Sequence, residues 1–418
     1  MGSAVTCPSC HQKINISIDI AGQTIACPMC KSQWHVAPPA NTAPANTPNP
    51  TTQHVPDYQR PAESFYPNTR PDYAKPAYAS KPEPGSNALF WIFGLLGGGC
   101  LFTLIAIVLS IVLLGQSVKK NLRQVQQKVA AANNDLASQN FLESRKEFDT
   151  VIRVQQRDNE PVPTPPNHLF QTIKYDTSLG PMSAYVSKPN NLGQKNPAII
   201  WKFGGFGNGI GETAWEPQPA HDDQSASAFR KNGIVMMYPA LRGGNDNPGV
   251  NETFFGEVDD ILAAADYLAA QDYVDPQRIY LGGHSTGGTL VLLCAAASDR
   301  FRAVFSFGPV GDISGYGSEM LTFSTANKKE LQLRNPIQWL HAIRNPTFVI
   351  EGTRGNQIPL RNLRAKNSNK NIHFHIINRK DHFSVLRPMN DLLARKVIND
   401  TGPTCNIKLT KTDLNSLK

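Results

Sequence analysis

Residues 275–288 read DPQRIYLGGHSTGG and carry the strongest structural signal in the chain. The apolar run before Gly283 predicts a β-strand, and the small residues after Gly288 predict the start of a helix. Between them lies a G-x-S-x-G pattern centred on Ser285. Glycines two residues to either side of the serine allow strand and helix to meet closely at a sharp turn. The pattern predicts an exposed serine nucleophile.

Residues 167–402 alternate between short apolar runs and helical patterns. The apolar runs lie at 198–203, 234–238, 278–282, 303–307, 347–350 and 372–377, and the clearest helical patterns lie at 257–270 and 289–297. Alternating strands and helices are typical of a mostly parallel sheet with helices on both faces. We therefore predict an α/β domain over residues 161–402, followed by a C-terminal tail over 403–418.

These features resemble the α/β-hydrolases, and most nearly the catalytic domain of the prolyl-oligopeptidase family, over roughly residues 196–400. In that family a D-x-x-R-I segment leads into the nucleophile turn, as residues 275–279 do here. The resemblance implies that Ser285 is the nucleophile and that a histidine on a late loop activates it. His382 fits this role because it follows the last predicted strand near the C-terminus.

The predicted oxyanion hole begins in residues 201–207, which read WKFGGFG. Glycines there let backbone N–H groups point into the site, and the residue after the nucleophile supplies a second donor. We therefore predict donors at Gly205, Phe206 and Thr286. In the prolyl-oligopeptidase family a tyrosine usually precedes the glycine pair and helps to hold the oxyanion. Here that residue is Phe203, so one donor is lost.

The acid of the catalytic triad is left open by the sequence. The family places an aspartate three residues after a glycine that ends the penultimate strand, and Gly355 stands there instead. Asp312 is our first choice, because it follows a predicted strand from which some α/β-hydrolases supply their acid. Glu351, at the end of the next predicted strand, is the alternative.

Four of the seven cysteines lie in a small module at residues 1–36. Two C-x-x-C pairs are separated by sixteen residues and consist of Cys7, Cys10, Cys27 and Cys30. This spacing predicts one structural zinc ion held by four thiolates, in a segment too short to fold on a core of its own. The module resembles a zinc ribbon. A redox dithiol or two disulfides are the alternatives.

Between this module and the α/β domain the composition changes three times. Residues 37–86 form a proline-rich linker, and 88–114 form an uncharged apolar segment long enough to span a membrane once. Residues 115–160 predict a helical stalk. Its apolar heptads are at the lower limit for a coiled coil, through which the chain would oligomerise, and a solvated amphipathic stalk is the alternative.

The net charge of +8 comes from 41 Lys and Arg against 33 Asp and Glu. The basic residues form no dense block, which disfavours nucleic acid as a partner. Basic residues just after the apolar segment favour a cytosolic hydrolase by the positive-inside rule. The thiol-rich zinc module favours a cytosolic N-terminus. These two indications conflict, and we predict a cytosolic zinc module and an external hydrolase.

Together these features predict a membrane-anchored serine hydrolase. It would cleave an ester or peptide bond of a small substrate through an acyl-enzyme and need no cofactor for catalysis. Residues 311–339 would form its lid. The alternative is a catalytically inert α/β-hydrolase scaffold whose zinc module binds a protein partner.

Overall fold

The structure is a computed structural model that divides into two compact units, residues 1–62 and 63–418. In the second unit it describes residues 140–189 and 193–417. It also describes four short strands of the first unit and the positions Gln116, Val118, Lys119, Asn121 and Gln124.

The first unit contains two β-hairpins. Strand β1 (Ser3–Thr6) pairs antiparallel with β2 (Lys13–Ile16), and β3 (Thr24–Ala26) pairs antiparallel with β4 (Gln33–His35). The four predicted zinc ligands lie outside the described residues, each C-x-x-C pair falling in the sequence between the two strands of one hairpin. Zinc binding therefore stays a prediction.

The second unit is built around one eight-stranded sheet with the order β12-β11-β10-β9-β7-β8-β6-β5. Strand β6 pairs antiparallel with both of its neighbours, β5 and β8, and the other adjacent pairs in this sheet are parallel. The strands are β5 (Phe170–Thr177), β6 (Gly180–Ser187), β7 (Asn196–Lys202), β8 (Val235–Pro239), β9 (Val274–His284), β10 (Val304–Phe307), β11 (Thr347–Gly352) and β12 (Ile372–Ile377). The predicted mostly parallel sheet is confirmed, whereas the hairpin β5–β6 was not predicted.

Helices cover both faces of this sheet. Neighbouring strand residues point to opposite faces, so Ile200 of β7 packs in one core with α3 and α4, and Ile199 packs in the other with α2 and α7. The described helices are α1 (Phe141–Lys146), α2 (Ala228–Lys231), α3 (Glu257–Ala269), α4 (Thr286–Ala297), α5 (Lys328–Arg334), α6 (Gln357–Lys366), α7 (Leu386–Ile398) and α8 (Lys411–Asn415). This is the expected α/β-hydrolase-like arrangement.

Residues 140–160, which we call the strap, pack on the α/β domain. The Arg145 guanidinium binds the Asp259 carboxylate at 2.8 Å. Farther along, the strap forms a bridge between Ile152 and Phe323, and the Arg153 N–H donates to Thr322 O at 2.7 Å. The strap is helical only in α1, so the predicted stalk has to be corrected over these residues, which belong to the α/β domain.

The predicted C-terminal tail also packs on the domain, because Ile407 and Leu417 are buried in its second core. The domain therefore extends beyond its predicted end at residue 402. The predicted linker, membrane span and most of the first half of the stalk lie outside the described residues. Among the helices that are described, none is both long and apolar enough to cross a bilayer.

Candidate active site

Ser285 occupies a strained turn between β9 and α4. Its φ of 56° is one that side-chain-bearing residues rarely adopt. The flanking glycines are required by close backbone contacts: a Cβ on Gly283 would lie 2.5 Å from the Gly287 carbonyl oxygen, and one on Gly287 would lie 2.3 Å from the Lys202 carbonyl oxygen. The Ser285 N–H donates to Phe307 O at 2.7 Å, which fixes the turn to β10. Strand, turn and helix thus present the serine as the sequence predicts.

His382 is paired with Glu351. The His382 Nδ1 lies 2.9 Å from the Glu351 Oε2, and the Glu351 side chain is fully buried at the end of β11. Its other oxygen accepts from the Gly352 N–H at 2.6 Å. A buried carboxylate at Nδ1 holds the proton on that nitrogen and leaves Nε2 free to accept a proton. Glu351 thus has the geometry of the acid in a triad.

Asp312 lies elsewhere, and our first choice for the acid has to be corrected. Its side chain is exposed and caps a short 3-10 turn by accepting from the Ser314 N–H at 3.0 Å. The same oxygen accepts from the Asn335 amide, also at 3.0 Å. The structure brings the alternative, Glu351, to the imidazole instead.

Two glycines make room for this pair. A Cβ on Gly355 would lie 2.4 Å from Glu351 Oε1, and a Cβ on Gly308 would lie 2.4 Å from His382 Cε1. A side chain at the loop position where the resemblance leads us to expect an aspartate would therefore collide with Glu351. The acid is therefore supplied by the end of β11 and not by that loop.

A second histidine, which the sequence analysis missed, supports the first. His284 is buried, and its Nε2 donates to the His382 carbonyl oxygen at 3.0 Å. The pKa of His284 is held well below its usual value, mainly because the ring is buried and also because His382 is close to it. The ring is therefore neutral. Because His284 precedes Ser285, this bond holds the His382 backbone beside the nucleophile turn. Ser285 Oγ itself makes no hydrogen bond within the described residues.

The predicted oxyanion donors meet beside the serine. The Thr286 hydroxyl donates to Gly205 O at 2.5 Å. Because the carbonyl and the following N–H of a trans peptide point in opposite directions, this bond turns the Phe206 N–H away from the hydroxyl. In the part of the chain that the structure describes, neither the Phe206 N–H nor the Thr286 N–H has a partner. Two free backbone donors at the nucleophile are what an oxyanion requires.

Aromatic rings pack around the oxyanion loop. Phe203 stacks on Tyr238 with ring centroids 5.1 Å apart, so the residue that replaces the expected tyrosine packs rather than donates. Tyr316, from the predicted lid, contacts Phe206 edge-on at 5.1 Å. Its hydroxyl lies 3.1 Å from that of Thr289 in α4. The lid is thus attached to both the oxyanion loop and the helix that follows Ser285.

Fold and site define an α/β-hydrolase-like domain with a Ser285–His382–Glu351 constellation. Residues 220–391 match the model of the prolyl oligopeptidase family, a range that contains all three residues. This segment of the chain is therefore similar to the prolyl oligopeptidase family.

Two curated relatives illustrate this likeness. The chain is 27% identical over 126 residues to prolyl oligopeptidase A of Amanita bisporigera, covering 29% of this chain and 16% of that protein. It is 30% identical over 146 residues to the dual function macrocyclase-peptidase POPB of the same organism, covering 33% of this chain and 19% of that protein. The chain thus spans under a fifth of either relative.

Solved structures show a more distant likeness. The puromycin-hydrolyzing peptidase of Mycobacterium tuberculosis has 17% identity and a TM-score of 0.47, covering 56% of this chain and 40% of that one. The acylaminoacyl peptidase of Pyrococcus horikoshii has 15% identity and a TM-score of 0.47, covering 59% and 44%. The fold assignment rests on the sheet described above.

Proposed function

We propose that the α/β domain is a serine hydrolase that cleaves the peptide or amide bond of a small substrate through an acyl-enzyme on Ser285. The observation that carries the proposal is the Glu351–His382 pair beside a strained serine with two free backbone donors. The family-level match supports a peptidase-like reaction, because the relatives above are named as peptidases.

The reaction follows from the placement of these groups. Ser285 Oγ attacks the carbonyl carbon while His382 Nε2 takes its proton, and Glu351 stabilises the imidazolium that forms. The N–H groups of Phe206 and Thr286 bind the oxyanion. His382 then gives the proton to the departing amine as the carbon–nitrogen bond breaks. Water, deprotonated by the same nitrogen, attacks the acyl-enzyme and releases Ser285.

Covalent labelling with a fluorophosphonate tests the nucleophile directly. We expect the folded full-length chain to be labelled, and Ser285→Ala and heat-denatured protein to remain unlabelled. Ser298→Ala is the matched control, because this serine follows the other end of α4 and its hydroxyl accepts from the Arg300 N–H at 3.2 Å. Absence of labelling in folded protein would overturn the proposal and favour the inert scaffold.

The choice between amide and ester is tested with one acyl group carried as a nitroanilide and as a nitrophenyl ester. The peptidase proposal expects turnover of both, each abolished by Ser285→Ala. Turnover of the ester alone would restrict the activity to an esterase, since amines are the poorer leaving groups.

Zinc binding by Cys7, Cys10, Cys27 and Cys30 and a membrane span at 88–114 are proposed for the N-terminal part. The cysteine spacing and the length of the apolar segment support them. Metal analysis of the purified chain, with Cys27→Ser as the variant, should give one zinc per chain and a lower content in the variant. Carbonate extraction of expressing cells should leave the chain in the membrane fraction.

A further inference from the structure

A small cavity borders the predicted oxyanion hole. It is lined by Gly205, Phe206 and Thr286 of that hole and also by Lys202, Asn251 and Glu257. Its volume is about 20 Å3, enough for one or two heavy atoms, since a single water needs roughly 10–15 Å3. We call this cavity the Lys202–Glu257 chamber.

Glu257, which lines this chamber, has one carboxylate oxygen without a hydrogen-bond partner in the described part of the chain. Its side chain lies at the start of α3 and is 2% exposed. The Oε1 accepts from the Asn208 amide at 3.0 Å and from the Glu252 N–H at 2.7 Å. Within the described residues, Oε2 is buried and accepts no hydrogen bond. An unpaired buried acceptor is costly, which indicates that a donor from outside the chain belongs there.

Lys202 faces the same chamber with spare donors. It is 5% exposed, and its Nζ donates to the Gly207 carbonyl oxygen at 2.9 Å, which leaves two ammonium protons. In the described part of the chain, Lys202 and Glu257 form no salt bridge with each other. The nearby Arg242 is already paired with Asp260 and Glu252. The two oppositely charged side chains thus line one cavity without being paired with each other in the described chain.

The group that fits must both donate and accept. Burial raises the pKa of Glu257 and lowers that of Lys202 to about 8, which brings each group closer to its neutral form. A hydroxyl suits either protonation state, because it donates to a carboxylate, accepts from an ammonium and can exchange these roles. An ammonium group would meet Lys202 as a like charge. A branched aliphatic or aromatic side chain exceeds the volume.

We propose that the Lys202–Glu257 chamber is a selectivity pocket for a hydroxymethyl group, the side chain of a serine residue that contributes the scissile carbonyl. This inference rests on the proposed function. Phe206 and Thr286, whose N–H groups would bind the carbonyl oxygen, also line the chamber, so an α-substituent of the bound carbonyl would lie close to it. The substrate class is therefore a seryl amide or peptide, or the corresponding ester.

Isosteric substrates test the pocket in the full-length enzyme. Seryl, 2-aminobutyryl and alanyl nitroanilides with the same N-blocking group are compared by kcat/KM. The 2-aminobutyryl side chain has the shape of serine without its hydroxyl. We expect seryl to exceed 2-aminobutyryl by about 10²-fold or more, because a site built to bond a hydroxyl rejects the analogue that lacks it.

Glu257→Gln replaces the free acceptor and should reduce that ratio at least about tenfold. Glu252→Gln is the matched control, because Glu252 pairs with Arg242 and does not line the chamber. It should leave the ratio unchanged. A ratio is insensitive to the fraction of folded enzyme, and the wild-type ratio alone already tests the pocket.

A failure of the selectivity pocket can be distinguished from a failure of the proposed function. Turnover of all three substrates without preference for seryl would overturn the pocket and leave the proposed function intact, with a structural water only in the chamber. A seryl preference that survives Glu257→Gln would also overturn the role given to the chamber. No turnover together with no fluorophosphonate labelling would overturn both proposals.

Discussion

Two buried carboxylates near opposite ends of the sheet differ in how fully they are hydrogen-bonded. At the end away from Ser285, the Asp400 carboxylate accepts from Arg302 Nε and Nη2, from the Tyr280 hydroxyl and from the Asn406 N–H, all at 2.7–2.9 Å. At the Ser285 end, His284 Nδ1 and Glu257 Oε2 are buried without partners in the described chain.

This difference separates stability from activity. A carboxylate with every lone pair used can only hold the fold together, whereas unpartnered donors and acceptors are left for a substrate or a transition state. Glu351→Gln should therefore change turnover more than unfolding, and Asp400→Asn should do the reverse.

Glu351→Gln should give the largest effect. The amide keeps the shape of the side chain but loses the charge that stabilises the His382 imidazolium, so kcat should fall roughly 10³–10⁴-fold. The measurement is kcat on the nitrophenyl ester with the unfolding midpoint recorded in parallel. Glu319→Gln, in an exposed part of the lid, is the control and should retain full activity. A loss below about tenfold would mean that Glu351 is not the acid.

Asp400→Asn tests the opposite end. Arg302 is 6% exposed in its side chain and would be left as a buried cation without its counter-charge. The free energy of unfolding should fall by about 3–5 kcal/mol, while kcat per folded molecule stays the same. Denaturant titration measures the free energy of unfolding. Active-site titration gives the concentration of folded enzyme by which kcat is corrected. Asp299→Asn, whose pair with Arg344 is largely exposed, should lower the stability by at most about 1 kcal/mol.

The contribution of Lys202 to the free energy of unfolding should depend on pH. Burial lowers its pKa from 10.5 to about 8, so between these values the unfolded chain keeps a proton that the folded chain has released. Stability then rises with pH, and the advantage of wild type over Lys202→Met should grow by up to about 3 kcal/mol from pH 8 to 10.5. Denaturant titrations of both proteins across this range measure it. If the difference in stability between the two proteins stays constant across this range, the pKa of Lys202 is not lowered by burial.

Asp312→Asn should give the smallest effect. Asparagine caps a helical turn as well as aspartate does, so the stability loss should stay below about 1 kcal/mol and kcat within about twofold. Steady-state kinetics beside Glu351→Gln make the comparison. A loss from Asp312→Asn that equals the loss from Glu351→Gln would restore Asp312 to the site.

Local patterns predicted the nucleophile end well, since the requirements of the turn are met within residues 283–287. The acid depends on a contact between positions 31 residues apart, which a single sequence does not display. Gly355 was the available signal: it is a glycine because Glu351 fills the space beside it. The aspartate expected in the loop is absent at Gly355, and Glu351 at the end of the preceding strand takes its place beside His382.

The hairpin β5–β6 escaped prediction for a different reason. Most of β5 faces solvent or is half-buried, so it has no continuous apolar run, and β6 begins with Gly180 and Pro181. His284 was overlooked because it occupies the variable position of the G-x-S-x-G pattern. Its importance comes from a bond to His382, which lies 98 positions farther along the chain.

The strap connects the N-terminal side of the domain to the wall of the chamber. It is bonded first to α3 through Arg145 and then to Thr322, whose hydroxyl lies 2.7 Å from that of Thr253 in the chamber wall. Tension applied upstream of residue 140 would therefore reach α3 and the wall of the chamber before it reached the parallel core of the sheet. The strap is therefore the part of the chain that transmits force from residue 140 to the chamber wall.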